Sequence, residues 1–302
     1  MGQSCASCQN KDEAPVVYDS MEKKDKFAEE DLDDSQEFDA KSPPSTYQCK
    51  TMEADILHFK KLISDVNEQE CIEELKDQQL IFDDKSRYFG CISNGKANGY
   101  GKLCLENGDC YQGDFVENMM EGNGTFNYLI GPIYEGQFKS NKPDGYGIET
   151  WPDGSVYEGE FQGGRKHGKG CYKWHQGCVY NGEWKDNMIH GIGKYEWPDG
   201  RSYSGSWIKN QMHGRGKYIW KDGKSYDGEY QHDKKCGFGI FYWPDGKQFQ
   251  GQWVNGKQHG NGLMIGKDGK KKIGSWQEGK LISSNEDDNF QIMPEGWIQQ
   301  EQ

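Results

Sequence analysis

Four histidines recur at a fixed place in a repeating pattern, and they are the first residues that suggest chemistry. His167, His190, His213 and His259 each stand directly before a glycine, at multiples of 23 residues. Imidazole nitrogens bind metals and transfer protons. If each 23-residue unit is a two-stranded hairpin, however, successive copies lie about 10 Å apart, too far to share one metal ion. No nucleophile or acid recurs beside them. The pattern therefore favours hydrogen bonding within the fold.

The ten cysteines offer one spacing that is typical of metal sites. Cys5 and Cys8 form a C-x-x-C pair, but a zinc site needs a second such pair or nearby histidines. We therefore expect no metal or other cofactor. Because the N-terminus has no basic-then-apolar leader, secretion is not expected, and free thiols are favoured over disulfides.

The N-terminal sequence MGQSCASC points to lipid attachment. Removal of Met1 would expose Gly2 for myristoylation, although Ala6 stands where the usual pattern has Ser or Thr. One myristoyl chain binds membranes only marginally, so palmitate on Cys5 and Cys8 would supply the second anchor. The sequence favours acylation at Gly2, Cys5 and Cys8, and hence a cytoplasmic, membrane-associated protein.

Charge excludes one class of partner and leaves another open. Residues 88–279 carry 24 basic and 22 acidic side chains, so they lack the basic footprint of a nucleic-acid-binding protein. The densest basic patch is Lys267, Lys270, Lys271 and Lys272. It is a candidate contact for acidic lipid or an acidic partner, but a solvated turn is the favoured interpretation.

A 23-residue period explains where these residues stand. We number the units 1 to 8 by their opening aromatic residues, which are Tyr88, Tyr111, Tyr134, Tyr157, Tyr180, Tyr203, Tyr226 and Phe249. Each unit then has a glycine, usually a second aromatic residue, a G-x-G pair and a closing glycine. These positions and Gly274 account for 33 of the chain's 41 glycines. The glycines are therefore predicted to be architectural.

Within a unit the pattern is that of a β-hairpin. Tyr, Gly and Phe or Trp alternate with the period of two of a strand, and each glycine leaves room for the rings beside it. In unit 4 the stretch QGGRKHG predicts the turn, and KGCYKW at 169–174 predicts the second strand. W-P-D-G then turns the chain into the next unit, because proline pre-sets φ and glycine supplies a positive φ.

The motif Y-x-G-x-[FW]-x-x-[GN]-x-x-[HDE]-G-x-G at this step resembles the MORN repeat (membrane occupation and recognition nexus). The resemblance covers residues 88–279, with departures such as Ile92 and Asn98 in unit 1. It implies an all-β fold: an elongated antiparallel β-hairpin meander. It fixes no single function, because such repeats occur in radial-spoke proteins, junctophilins, lipid kinases and a lysine methyltransferase.

The stripe of large rings admits two interpretations. As a core, rings of adjacent hairpins shield the sheet; as a groove, they hold a partner's peptide. The candidate partner-binding rings are Phe138, Phe161, Trp184, Trp207 and Trp253.

Outside the repeats the chain divides into three segments. Residues 1–50 are predicted to be a disordered acidic arm. Residues 51–87 are predicted to be a helical cap on the first sheet edge, favoured over a partner or coiled-coil seam. Residues 280–302 form a tail after a ninth unit that has no second half. These segments are too short for an enzyme domain, so no catalytic activity is expected.

The sequence thus predicts a non-catalytic scaffold that binds a protein partner through the aromatic face and is tethered by its acylated N-terminus. Family analogy suggests a cilium or the cell cortex. Homodimerisation through the C-terminal repeats is a further expectation. The alternative is a module that binds acidic phospholipid or regulates a lipid kinase.

Overall fold

A computed structural model of the chain describes residues 79–285, which form one open antiparallel sheet of 19 strands. Each strand pairs with the strands before and after it in the chain. Among these residues there is no helix, and hence none that could cross a membrane. The hairpin meander predicted from the 23-residue period is therefore confirmed.

The strands follow one another with short turns. Their bounds are β1 (Gln79–Ile81), β2 (Arg87–Ser93), β3 (Lys96–Cys104), β4 (Cys110–Val116), β5 (Met119–Asn127), β6 (Ile133–Lys139), β7 (Lys142–Thr150), β8 (Val156–Gln162), β9 (Arg165–Lys173), β10 (Val179–Lys185), β11 (Met188–Glu196), β12 (Ser202–Ile208), β13 (Gln211–Ile219), β14 (Ser225–Gln231), β15 (Lys234–Tyr242), β16 (Gln248–Val254), β17 (Lys257–Ile265), β18 (Lys271–Gln277) and β19 (Lys280–Asn285).

The first edge of the repeats differs from the prediction. A helical cap was expected over 51–87, but residues 79–81 form β1 and pair with β2, with Leu80 opposite Tyr88. A strand satisfies the backbone groups that the edge of β2 would otherwise leave unpaired. The helix prediction is therefore wrong for residues 79–87. The rest of the cap, the acidic arm and the end of the tail lie outside the described residues.

Each hairpin closes with a two-residue tip at positive φ. Asp186 and Asn187 have φ of 50° and 65°, as a type I′ turn requires. The Asn187 side chain also accepts a hydrogen bond from the backbone N–H of Lys166 in the preceding hairpin, at 2.8 Å. In unit 4 only Gly163 and Gly164 form the tip. The predicted longer turn is therefore wrong, and His167 lies inside β9.

The connection between hairpins agrees with the W-P-D-G prediction. Gly154 N–H donates to the Trp151 carbonyl at 2.9 Å, and Trp151 N–H donates to the Ser155 carbonyl at the same distance. Gly154 has φ of 89°, and the Asp153 carboxylate accepts the N–H of Ser155 at 2.8 Å. Proline, aspartate and glycine thus each contribute to a three-residue turn that leads into the next strand.

A row of paired glycines crosses the sheet under the aromatic rings. Gly182 lies opposite Gly193 in the same hairpin, and Gly193 lies opposite Gly205 in the next. A Cβ added to Gly182 would lie 2.5 Å from the Cα of Gly193. A Cβ added to Gly193 would lie 2.5 Å from Cζ of Tyr180. The predicted space beside the rings is therefore occupied by the tyrosine that opens the unit.

The opening tyrosines and the second aromatic residues form a buried ladder. The Tyr180 ring packs edge-on against Trp184 of its own hairpin at 5.3 Å and against Trp207 of the next hairpin at 5.8 Å. The Tyr180 hydroxyl donates to the Glu183 carbonyl at 3.0 Å, and Trp184 Nε1 donates to the Gly170 carbonyl at 3.1 Å. This ladder is the core, and it lies on one face of the sheet, which we call the aromatic face.

The ninth unit contains a second strand. β18 pairs with β19, although the partner of Gly274 is Ser284 and not a glycine. The expectation of a half-unit is therefore corrected. Leu281 and Ile282 are exposed on β19, with 42% and 63% of their surfaces accessible.

The free-thiol expectation is wrong at one cysteine pair. Cys104 and Cys110 lie opposite each other on β3 and β4, with Cα atoms 4.2 Å apart, and they are disulfide-bonded. The hairpin connection brings them into register, which sequence separation alone did not reveal. Cys91 and Cys236 are free thiols.

We predict that Gly193→Ala destabilises the sheet far more than Gly200→Ala. The first Cβ collides with the Tyr180 ring, whereas the second enters open space and strains only a positive φ. We expect Gly193→Ala to lower the free energy of unfolding by about 3 kcal/mol or more, and Gly200→Ala to lower it by about 1 kcal/mol. Urea denaturation measures both, and equal losses would contradict the packing described.

We also predict a steep loss of stability at alkaline pH. Burial raises the pKa of the Tyr180, Tyr157 and Tyr203 hydroxyls far above their ordinary value. Their stabilising contribution is full below the unfolded pKa of about 10 and falls above it, by about 1.4 kcal/mol per pH unit for each tyrosine.

Tyr180→Phe isolates one of these groups, and Phe249 shows that the position accepts phenylalanine. The variant should lose about 1 kcal/mol near neutral pH with its hydrogen bond. Above the unfolded tyrosine pKa, the free energy of unfolding of the variant should fall less steeply with pH than that of the wild type. The difference in slope should be the contribution of one tyrosine, about 1.4 kcal/mol per pH unit. Urea denaturation of both proteins at pH 7 and between pH 10 and 11 measures their free energies of unfolding. If the two free energies fall in parallel above pH 10, Tyr180 does not contribute to the alkaline loss of stability.

Candidate protein-binding surface

A second row of rings lies on the aromatic face beside the ladder, at the strand ends. Five partly exposed tryptophans form what we call the tryptophan row: Trp151, Trp174, Trp197, Trp220 and Trp243. Each follows the last residue of its hairpin's second strand and begins the connecting turn. Four buried rings alternate with them: Tyr172, Tyr195, Tyr218 and Phe241.

The rings of this row are in continuous contact. Trp174 lies 4.3 Å from Tyr172 and 5.3 Å from Tyr195, measured between ring centroids, with ring planes tilted by 30° and 37°. The same alternation runs from Trp151 to Trp243. The result is a corrugated apolar surface across five hairpins. From sequence, these tryptophans are assigned to strand ends and turns and not to a binding surface, although their 23-residue step is a signal.

An ion pair ends this row of rings at unit 3. Glu149 stands where units 4 to 7 have tyrosine or phenylalanine, and its Oε2 lies 2.6 Å from Lys166 Nζ. The ammonium also lies 4.6 Å from the centre of the Trp151 ring. Burial lowers the pKa of Lys166, and Glu149 opposes that shift. Lys235 makes comparable contacts, 5.4 Å from Trp220 and 4.5 Å from Trp253.

The five rings predicted to bind a partner are buried in the ladder. Phe138, Phe161, Trp184, Trp207 and Trp253 each expose 6% or less of their surface. Of the two interpretations of the aromatic stripe, the one in which rings of adjacent hairpins form the core therefore describes how these five rings pack. Contact with a partner stays a prediction for them, and the tryptophan row offers more accessible surface on the same face.

In units 2 and 3 the residue at the repeated histidine position is an acid, and it accepts a hydrogen bond from the neighbouring hairpin. Glu121 accepts the N–H of Ser140 at 2.8 Å, and Asp144 accepts the N–H of Gly163 at 2.9 Å. Both acceptors stand where other units have histidine, and they cap the next hairpin tip. For the four histidines themselves hydrogen bonding stays a prediction, and the buried Nδ1 of His259 has no hydrogen-bond partner among the described residues. Within residues 79–285 no three histidine, cysteine or carboxylate side chains are grouped as metal ligands.

The same two carboxylates line a shallow depression of about 310 Å³ between units 2 and 3, together with Gln137 and Phe138. Gln137 Oε1 accepts the N–H of Tyr146 at 2.8 Å. The polar groups of this depression are therefore already used to hold the sheet.

The predicted lysine patch is divided between a turn and a strand. Lys267 and Lys270 lie in the turn before β18, while Lys271 and Lys272 begin that strand, and all four are exposed. Lys270 Nζ lies 3.3 Å from Asp268, which is in the same turn. Contact with acidic lipid stays a prediction. The lipidation sites Gly2, Cys5 and Cys8 lie outside the described residues.

Solved structures with some likeness to this chain include TCP domains. A mutant TCP10 domain of Danio rerio CPAP is 13% identical, with a TM-score of 0.39, covering 69% of this chain and 98% of that one. The wild-type domain in complex with a peptide of Danio rerio STIL is 15% identical, with a TM-score of 0.32 and coverages of 69% and 98%.

The TCP domain of SAS-4 from Drosophila melanogaster, in complex with a proline-rich motif of Ana2, is 10% identical, with a TM-score of 0.29 and coverages of 65% and 88%. Likeness at this level assigns no ligand or activity to the present chain. No curated protein matches the chain closely enough to count as a relative.

The family comparison agrees with the repeat period. The model of the MORN repeat matches eight segments, which are 88–110, 111–128, 134–156, 157–179, 180–200, 203–225, 226–248 and 249–271. These matches cover more than half of the chain and coincide with the eight units defined by their opening rings. The chain belongs to the MORN repeat family.

Proposed function

We propose that this chain is a non-catalytic scaffold that binds a protein partner through its aromatic face. The observation that carries the proposal is the tryptophan row, an unbroken series of rings whose indoles remain partly exposed. A contiguous apolar patch at a protein surface often marks an interaction site, and tryptophan contributes strongly to the binding energy of many interfaces.

The other face of the sheet is chemically different. In unit 4 it presents Glu158 and Glu160, and in unit 5 it presents Glu183, between the buried rings of the same strands. Glu160 accepts the N–H of Lys169 at 3.0 Å. We call this the polar face. Its charged side chains interact with the sheet's own backbone and with solvent, although it also exposes apolar side chains such as Ile192 (59%) and Ile208 (42%). The continuous ring contacts of the tryptophan row favour the aromatic face as the contact surface.

The scaffold proposal includes attachment to a membrane. Acylation at Gly2, Cys5 and Cys8 would hold the chain at a membrane surface, in a cilium or at the cell cortex by analogy with the family. The exposed apolar residues of β19 would offer a pairing edge to a second copy, in line with the expected homodimer. Phospholipid binding by the lysine patch is the competing proposal.

A face-specific cross-linking experiment tests the partner-binding proposal. A photoreactive phenylalanine analogue replaces Trp197 in the tryptophan row, or Ile192 on the polar face of the same hairpin, in the full chain inside its native cells. Ile192 exposes 59% of its surface, so it is the matched control. We expect a discrete protein adduct from position 197 that position 192 does not give.

The adduct should also weaken when Trp220→Ala is added to the position 197 probe, because the two indoles belong to one surface. Adducts that form equally from both faces would contradict the proposal. If only lipid is captured, the phospholipid alternative gains and the protein-scaffold proposal fails.

Membrane attachment is tested by Gly2→Ala. Because one acyl chain is marginal and two give stable anchoring, loss of the first should move most of the protein from the membrane fraction to the soluble fraction. Cys5→Ser with Cys8→Ser should do the same, and Gln3→Ala is the control. Fractionation measures the shift. An unchanged distribution in the Gly2 and cysteine variants would remove the anchor from the proposal.

A further inference from the structure

The tryptophan row has a period that restricts what can bind along it. Successive indoles belong to successive hairpins, so they are displaced by two strand spacings, about 10 Å. The ring contacts agree with this, since each step consists of one contact within a hairpin and one between hairpins. A ligand that uses several indoles must repeat its own apolar groups at the same interval.

We propose that the tryptophan row binds a proline-rich segment in the polyproline II conformation, laid across the strands with a proline at every third position. This inference rests on the proposed function and names the partner's chemistry. A polyproline II helix has three residues per turn and rises about 3.1 Å per residue, so it repeats every 9.3 Å. Over the four steps from Trp151 to Trp243 the two periods drift apart by less than about 3 Å.

Other peptide conformations fit the period less well. In an extended strand, side chains alternate between faces, so every third residue would turn away from the row. An α-helix advances about 10.5 Å in seven residues and its contact stripe rotates by about 20° per heptad, so its register is lost over five indoles. Only the polyproline II helix keeps the same face toward the row at this spacing.

The surface also has the shape and chemistry that proline rings require. Neighbouring rings are tilted relative to one another by 30° to 49°, and partly exposed indoles alternate with buried rings. Aromatic-lined surfaces recognise polyproline II segments, whose preformed backbone loses little entropy on binding.

Charge along the turns gives the bound segment a direction. The turn after Trp151 carries Asp153 and no basic residue, whereas the turn after Trp220 carries Lys221 and Lys224 against one aspartate. In the turn of unit 8, Lys267 and Lys270 again outnumber the single acid. Acidic residues that flank the proline repeats would therefore lie over units 6 to 8.

Synthetic peptides test this period directly on the full chain. The probe and the control peptide each have 15 residues: four prolines, nine alanines and two glutamates at the C-terminal end. The prolines stand at positions 1, 4, 7 and 10 in the probe and at positions 1, 5, 9 and 13 in the control. We expect the first to bind at least about tenfold more tightly by calorimetry, because only it meets successive indoles in register. Equal affinities, or no binding of the first peptide, would overturn the inference.

Variants locate the contact. Trp197→Ala should weaken binding of the three-residue-period peptide at least about tenfold, as removal of a central aromatic anchor does. Ile192→Ala, on the polar face of the same hairpin, should leave it unchanged. Circular dichroism checks that both variants fold. An unaffected Trp197→Ala affinity would exclude the row as the site, and the peptide comparison in the wild type stands independently of the variants.

Exchange of the probe's two glutamates for lysines tests whether the basic turns contribute to binding. We expect weaker binding that recovers in Lys221→Glu with Lys224→Glu. If neither proline peptide binds while cross-linking still gives an adduct from position 197, the partner is of another conformation and the scaffold proposal survives. If an amphipathic helical peptide with a heptad period binds instead, the polyproline II inference is overturned and the scaffold proposal survives.

Discussion

The close approach of paired glycines beneath a tyrosine ring is the constraint on which the rest of this structure depends. Two facing glycines in each of units 1 to 8 leave no side chain between the strands, so the ring that opens the unit lies flat over the backbone. That position brings the ring into edge-on contact with aromatic residues of its own hairpin and of the next one. One layer of rings thus holds together a sheet that has no second layer in the described residues.

This arrangement separates stability from recognition. The ladder rings are buried and hydrogen-bonded, as when Trp207 Nε1 donates to the Gly193 carbonyl at 3.2 Å. The tryptophan row stands at the strand ends, where rings can be partly exposed without loss of the ladder. The hairpin tips at the other end of the strands are bound to one another by residues such as Asn187. A partner can therefore contact the row without disturbing the core.

Much of the fold was predictable because its period is encoded in residue types with strong local preferences. The glycines and the opening aromatic residues recur in all eight units, and W-P-D-G marks three of the connecting turns, at 151–154, 197–200 and 243–246. The helix predicted near Gln79 failed because tertiary pairing with β2 overrode a local apolar pattern. The Cys104–Cys110 bond depends on strand register, and the exposure of Trp197 depends on how far the neighbouring rings cover it. Neither could be read from spacing alone.

The central claim is most directly tested by nuclear magnetic resonance on the tyrosine rings. If the Tyr180 ring lies over the glycine pair, its ring protons should show nuclear Overhauser effects to the Hα protons of Gly182 and Gly193. Those Hα resonances should also be shifted strongly upfield by the ring current. Random-coil shifts for both glycines, with no contact to the ring, would contradict the account of how the hairpins are held together.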